Sequence, residues 1–152
     1  MHIPVIIGAI LEGPVVGIAV GLIFGLFSMY QNITAPGLTS FIFWNPIIAL
    51  IPRILIGIVA YYSFKLLKSK IKNTGVCAGI ASILATLTNT IGVLGLTYIL
   101  YLDKYAQARE ISKDAVAGTL LTVGLTNGIP EAIVSALIII PIVVTMLKMK
   151  RN

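Results

Sequence analysis

Residues 43–57 read FWNPIIALIPRILIG, and in this stretch Arg53 stands inside an otherwise apolar run, with Pro52 immediately before it and Pro46 near its start. Arginine does not shed its proton in a protein. A cation held in such a run must therefore face a partner or an aqueous hollow. The run continues to about Leu67, and a helix from Asn45 to Leu67 has the ~20 residues needed to cross a ~30 Å hydrocarbon layer. The rest of the chain agrees with that reading. Of its 152 residues 58% are apolar and only 11% charged, and mean hydropathy is +1.03, values that belong to the membrane class.

The charges are segregated. Between His2 and Lys65 the only fixed ones are Glu12 and Arg53, and between Lys72 and Asp103 there are none. This is the pattern of membrane spans joined by polar loops. Upstream of the opening stretch, EGP at Glu12 to Pro14 interrupts an apolar run, and a proline there predicts two helices rather than one. The first, Ile3 to Leu11, is too short to cross alone; the second runs from Val15 to Tyr30. Gln31 to Ser40 is a loop by its Asn, Pro and Gly content. Further helices are expected from Gly75 to Leu102 and from Ala115 to Leu147, with Asp103 to Asp114 a water-facing connector that has room for a helical turn. The fold class is an all-α membrane protein, a bundle of about five helices forming one integral membrane domain over residues 1–152.

The net charge of +6 is not a nucleic-acid signature, because the cations flank apolar runs. Lys65, Lys68, Lys70 and Lys72 form one cluster and Lys148, Lys150 and Arg151 another. By the positive-inside bias both lie on the cytoplasmic side, and the C-terminus with them. Counting back, the Gln31 to Ser40 loop is external, EGP internal, and Met1 external. An external start with no preceding span leaves two expectations: the short first helix is a re-entrant or half-buried element, or a helix upstream of Met1 is absent from this chain.

Four glycines, Gly13, Gly17, Gly21 and Gly25, recur every fourth residue along one face of the second helix. Small residues let helix backbones approach closely in lipid, and the stripe serves either packing within the chain or docking onto a separate membrane partner. Arg53, roughly 12 Å below the start of its helix at ~1.5 Å per residue, marks the floor of a pocket open to the outside. An intramembrane ionisable group is a functional hypothesis by default. The competing reading is a structural ion pair with Glu131, the other ionisable residue well inside a late helix. Thr86, Asn89, Thr90 and Val93 share one helical face, and Asn127 and Glu131 stand four apart beside Pro130. Amides in hydrocarbon need partners, so Asn89 and Asn127 should meet each other, Arg53 or a polar ligand. Trp44 and Asn45 serve as interfacial anchors or as a lid over the pocket.

No phosphate-binding loop and no His/Cys/Glu metal spacing occurs, and the one histidine lies at position 2. No serine has an adjacent base, and Cys77, the single cysteine, reads as a small buried residue. The chain does not divide into two similar halves, as inverted-repeat transporters do. These features argue against an enzyme, although a membrane enzyme using Glu131 or the Asp103 to Asp114 loop is a second hypothesis. A structural or assembly protein with an Arg53–Glu131 pair is a third. No cofactor and no metal is expected.

Taken together, MHIPVIIGAILEGPVVGIAVGLIFGLFS, FWNPIIALIPRILIG and LATLTNTIGVLGLTYIL resemble the substrate-binding S component of energy-coupling factor (ECF) vitamin transporters, over essentially the whole chain. The resemblance implies a six-helix membrane protein of Gram-positive bacteria and some archaea that binds a vitamin from outside. It implies as partners a transmembrane coupling protein and two cytoplasmic ATPases, and release of the ligand by toppling in the membrane. In the family a first helix with an Ala-x-x-x-Ala docking face and a covering loop precede the segment that here begins at Met1; without them the glycine stripe from Gly13 to Gly25 is the remaining candidate docking surface. PRILIG followed by TLTNT looks most like the pantothenate type, with cobalamin-type relatives close by and folate or riboflavin as further alternatives. By that resemblance Arg53 meets the vitamin's carboxylate, while Asn89 and Asn127 bind its amide or hydroxyl groups.

Overall fold

The computed structural model describes residues 2–150. Among them are five α-helices: α1 (Ile3–Glu12), α2 (Pro14–Thr34), α3 (Pro46–Lys70), α4 (Thr74–Arg109) and α5 (Lys113–Met149), with a 3-10 turn at Ser40–Ile42. The last four are long and apolar enough to cross a membrane, and α1 is a shorter apolar helix. This is an all-α, multi-pass membrane architecture.

Local chemistry sets the boundaries. Gly13, at φ 102°, separates α1 from α2, and Pro14 opens α2, where a missing N–H costs nothing because first-turn donors lack helical partners. Asn45 caps α3, its Oδ1 accepting from Ile47 N at 2.9 Å, and Pro46 follows at the first helical position. Asn73 caps α4 in the same way, accepting from the Gly75 and Val76 N–H groups. One boundary is corrected. The expected connector from Asp103 to Asp114 is helical for most of its length, because α4 runs on to Arg109 and α5 starts at Lys113. Charge marks where the chain meets water, not where the helix stops, and Lys104, Ala106, Gln107, Ala108 and Arg109 are good helix formers. The continuation is bent at Tyr101, which has φ −133° and ψ 20°.

Helices α2 to α5 pack each against the next, and α1 packs against α2, α3 and α5. The contacts of α2 with α3 descend in register: a Cβ on Gly17 would meet Gly57, one on Gly21 would meet Arg53 O, and one on Gly25 would meet Ala49 O. The two helices are therefore antiparallel with backbones in near contact. The core has two parts. At one end Val5, Ile6, Ala9 and Ile10 of α1 meet Ile56 and Ala60 of α3, Ala81 and Ala85 of α4, and Ile139 and Val143 of α5. At the other, Ile42, Ile48, Tyr105, Ala106, Val116 and Leu120 cluster. Outward faces carry exposed Ile23, Leu26, Ile91, Ile99, Leu121 and Leu137, as lipid contact requires.

The N-terminal end of α1 lies against α4, where His2 Nε2 is 2.9 Å from Thr86 Oγ1. At its other end, Glu12 Oε1 receives Lys150 Nζ at 3.2 Å. The α1–α2 break and the end of α5 thus share one side of the bundle.

Candidate functional site

A cavity of about 300 Å³ borders the second of these core clusters, with which it shares Ile42, Tyr105 and Leu120. Helix α3 supplies Arg53; α4 supplies Asn89, Thr90, Val93, Leu94, Thr97, Tyr105 and Arg109; α5 supplies Asn127, Gly128 and Glu131 among others; and Thr39, Ile42 and Phe43 come from the segment before α3. Five of the residues singled out from sequence, Arg53, Asn89, Thr90, Asn127 and Glu131, are thereby brought together.

Arg53 is 6% exposed. Its Nη1 donates to Ile48 O at 2.9 Å. That carbonyl is the one the residue-52 amide would bond in a regular helix, and Pro52 has no N–H to give. The proline frees an acceptor and the next residue's side chain takes it. The guanidinium also lies 5.1 Å from the Phe43 ring centroid and 5.7 Å from that of Phe24, within cation–π range. Among the described residues its Nε has no hydrogen-bond partner, and neither has the buried Asn89 Oδ1. A donor and an acceptor, both desolvated and both on residues lining one cavity, are costly unless a ligand's groups satisfy them. The pair suits a molecule with an anionic acceptor at one point and an N–H or O–H donor at another.

The structural Arg53–Glu131 pairing considered above is corrected: no ion pair joins them among the described residues. Glu131 Oε1 instead lies 3.2 Å from His2 Nδ1, and His2 Nε2 lies 2.9 Å from Thr86 Oγ1. Thr86 is thus fully buried against the imidazole rather than lining the cavity. His2, 2% exposed, was passed over in the sequence for want of metal-ligand spacing. The signal that would have found it is the one applied to Arg53, an isolated ionisable group at the edge of an apolar helix.

Trp44 and Asn45 are not brought to the cavity. The Trp44 indole N–H donates to Asn32 O at 3.1 Å with the ring half exposed, and Asn45 is committed to capping α3, its Nδ2 reaching the Tyr101 hydroxyl at 3.5 Å. The glycine stripe is corrected as a docking surface. Gly17, Gly21 and Gly25 are buried against α3, which leaves no room for a separate partner's backbone, and Gly13 serves as the hinge between α1 and α2.

A family model described as "ECF transporter, substrate-specific component" matches residues 1–143. The chain is 31% identical to the pantothenic acid transporter PanT of Lactococcus lactis subsp. cremoris, over 100% of this chain and 79% of that protein. It is 34% identical to the pantothenate transporter PanT of Leuconostoc mesenteroides subsp. mesenteroides, over 89% of this chain and 68% of the relative.

Proposed function

The chain belongs to the family of substrate-specific components of ECF transporters, and from that premise we propose that it captures pantothenate from the outer side of the cell membrane, with Arg53 holding the carboxylate. The family is one of transport subunits that bind substrate, not a class of enzymes. The observation that carries the reading is that Arg53 and Asn89, which line one cavity, each hold a buried polar atom, Arg53 Nε and Asn89 Oδ1, without a hydrogen-bond partner among the described residues. Pantothenate offers a carboxylate for the first and an amide N–H or hydroxyl for the second. Its remaining polar groups find Asn127, Thr90 and the Glu131 carboxylate as partners. An arginine–carboxylate contact can be bidentate and charge-assisted, which is the strong form of such a bond.

The size of the cavity supports the same choice. About 300 Å³ is at the small end of ligand sites, which favours pantothenate over cobalamin, folate or riboflavin. The names borne by the two relatives point the same way. The lysine cluster and the end of α5 face the cytoplasm in this reading, and a transmembrane coupling protein with two cytoplasmic ATPases drives release of the ligand inside.

Mass spectrometry of ligand co-purified with the detergent-solubilised chain, followed by binding of pantothenate to wild type and Arg53→Ala, tests the proposal. Wild type should retain an anionic vitamin, and the variant should lose at least about 100-fold in affinity, since removing one partner of a buried charged contact costs about 3–5 kcal/mol. Retention unchanged by Arg53→Ala would remove Arg53 from the site.

A further inference from the structure

The cavity holds a second guanidinium. Arg109, the last residue of α4, is exposed and lines the same cavity as Arg53. It lies beyond the bend at Tyr101, on a short helical stretch anchored by Tyr105 and Ala106, which are buried in the core cluster with Ile42, Ile48, Val116 and Leu120. Its Cζ rests 5.9 Å from the Tyr105 ring centroid. Among the described residues Glu131 contacts His2, and ion pairs join Asp103 to Lys113 and Glu12 to Lys150. None of them engages Arg109.

The two arginines differ in what they can do. Arg53 is deep and desolvated, so an anion reaches it only after entering. Arg109 stands where the cavity meets water, with its charge available at a distance. A cation at the mouth of a low-dielectric cleft focuses the field and raises the encounter rate of an anion. Being solvated, it holds the bound ligand only weakly.

We propose that Arg109 is the capture residue of this site, an outer guanidinium that draws a small carboxylate to the cavity mouth and speeds its passage to Arg53. The proposal rests on the reading of the cavity as a carboxylate site. Charge at the rim then governs association and buried charge governs dissociation, the usual division between steering and retention.

The test is the association and dissociation rates of radiolabelled pantothenate on the full chain in nanodiscs, at low and high salt, for wild type, Arg109→Gln and Arg109→Lys. For Arg109→Gln the association rate at low salt should fall about tenfold, the low end of the range electrostatic steering provides, with dissociation changed less than twofold. The difference should shrink at high salt, where the Debye length contracts, and Arg109→Lys should keep most of the rate because steering needs only a point charge. An unchanged association rate in Arg109→Gln, or a loss seen wholly in dissociation, overturns the proposal while leaving the Arg53 site standing. A wild type that binds no pantothenate overturns both.

Discussion

Pro52 and Arg53 work as a unit. The proline withholds the N–H that Ile48 O would have bonded, and the arginine donates to that oxygen at 2.9 Å, so the guanidinium is tethered to its own helix by one nitrogen and leaves another for a ligand. Pro52 in turn packs over Gly92, where an added Cβ would lie 3.2 Å from the proline ring. His2 is the second residue whose chemistry reaches across helices, since its two ring nitrogens meet Thr86 on α4 and Glu131 on α5. Replacing it by alanine removes the imidazole from both. His2→Ala should destabilise the chain by about 1–3 kcal/mol, chiefly the cost of leaving the buried Thr86 hydroxyl unpaired, read as a fall of several degrees in thermal midpoint in detergent. His2→Gln, which keeps a donor, should recover part of that loss; an Ala variant as stable as wild type would make the bridge energetically idle.

The pairing of α2 with α3 rests on backbone contact. At Gly21 a Cβ would lie 2.5 Å from Arg53 O, and at Gly17 the nearest atoms belong to Ala9 and Gly57. Backbone atoms cannot rotate aside as a side-chain tip can, so Gly21→Ala must push α2 away from α3 at the level of the arginine. A loss of about 1–3 kcal/mol in stability is expected from such overpacking, accompanied by weaker pantothenate binding as Arg53 is displaced. Gly118, which has nothing within 4 Å, is the control. Gly118→Ala should leave binding and thermal midpoint unchanged or slightly raise the latter, because alanine is the better helix former. Equal behaviour of the two variants in thermal unfolding would contradict the close approach.

At the scale of the whole molecule, the distribution of charge predicts sidedness. The break at Glu12 and the end of α5 lie together, and the positive-inside bias applied to the lysines from Lys65 to Lys72 predicts that their end of the bundle faces the cytoplasm. Cys77 is the one cysteine and is buried, so labelling has a low background. In intact cells a membrane-impermeant maleimide should modify Gly37→Cys, and should modify Lys70→Cys only after permeabilisation. The reverse pattern would invert the topology and put the cavity mouth inside.

Hydropathy and helix-ending chemistry were enough to read from the chain itself a membrane bundle, its breaks at Gly13 and Asn45, and Arg53 as the residue to explain, because apolar runs and prolines act locally and leave their mark in order. The candidacy of Asn89, Asn127 and Glu131 was legible for the same reason, since a polar group in a span is conspicuous wherever it points. Tertiary structure decided the rest. It turned the glycine stripe inward onto α3, gave Glu131 to His2 instead of to Arg53, and brought Arg109 to the cavity past the bend at Tyr101. Each of these depends on which helix faces meet, and residues 84, 129 or 56 positions apart in the chain, as His2 and Thr86, His2 and Glu131, and Asn45 and Tyr101 are, carry no mark of their meeting in a single sequence.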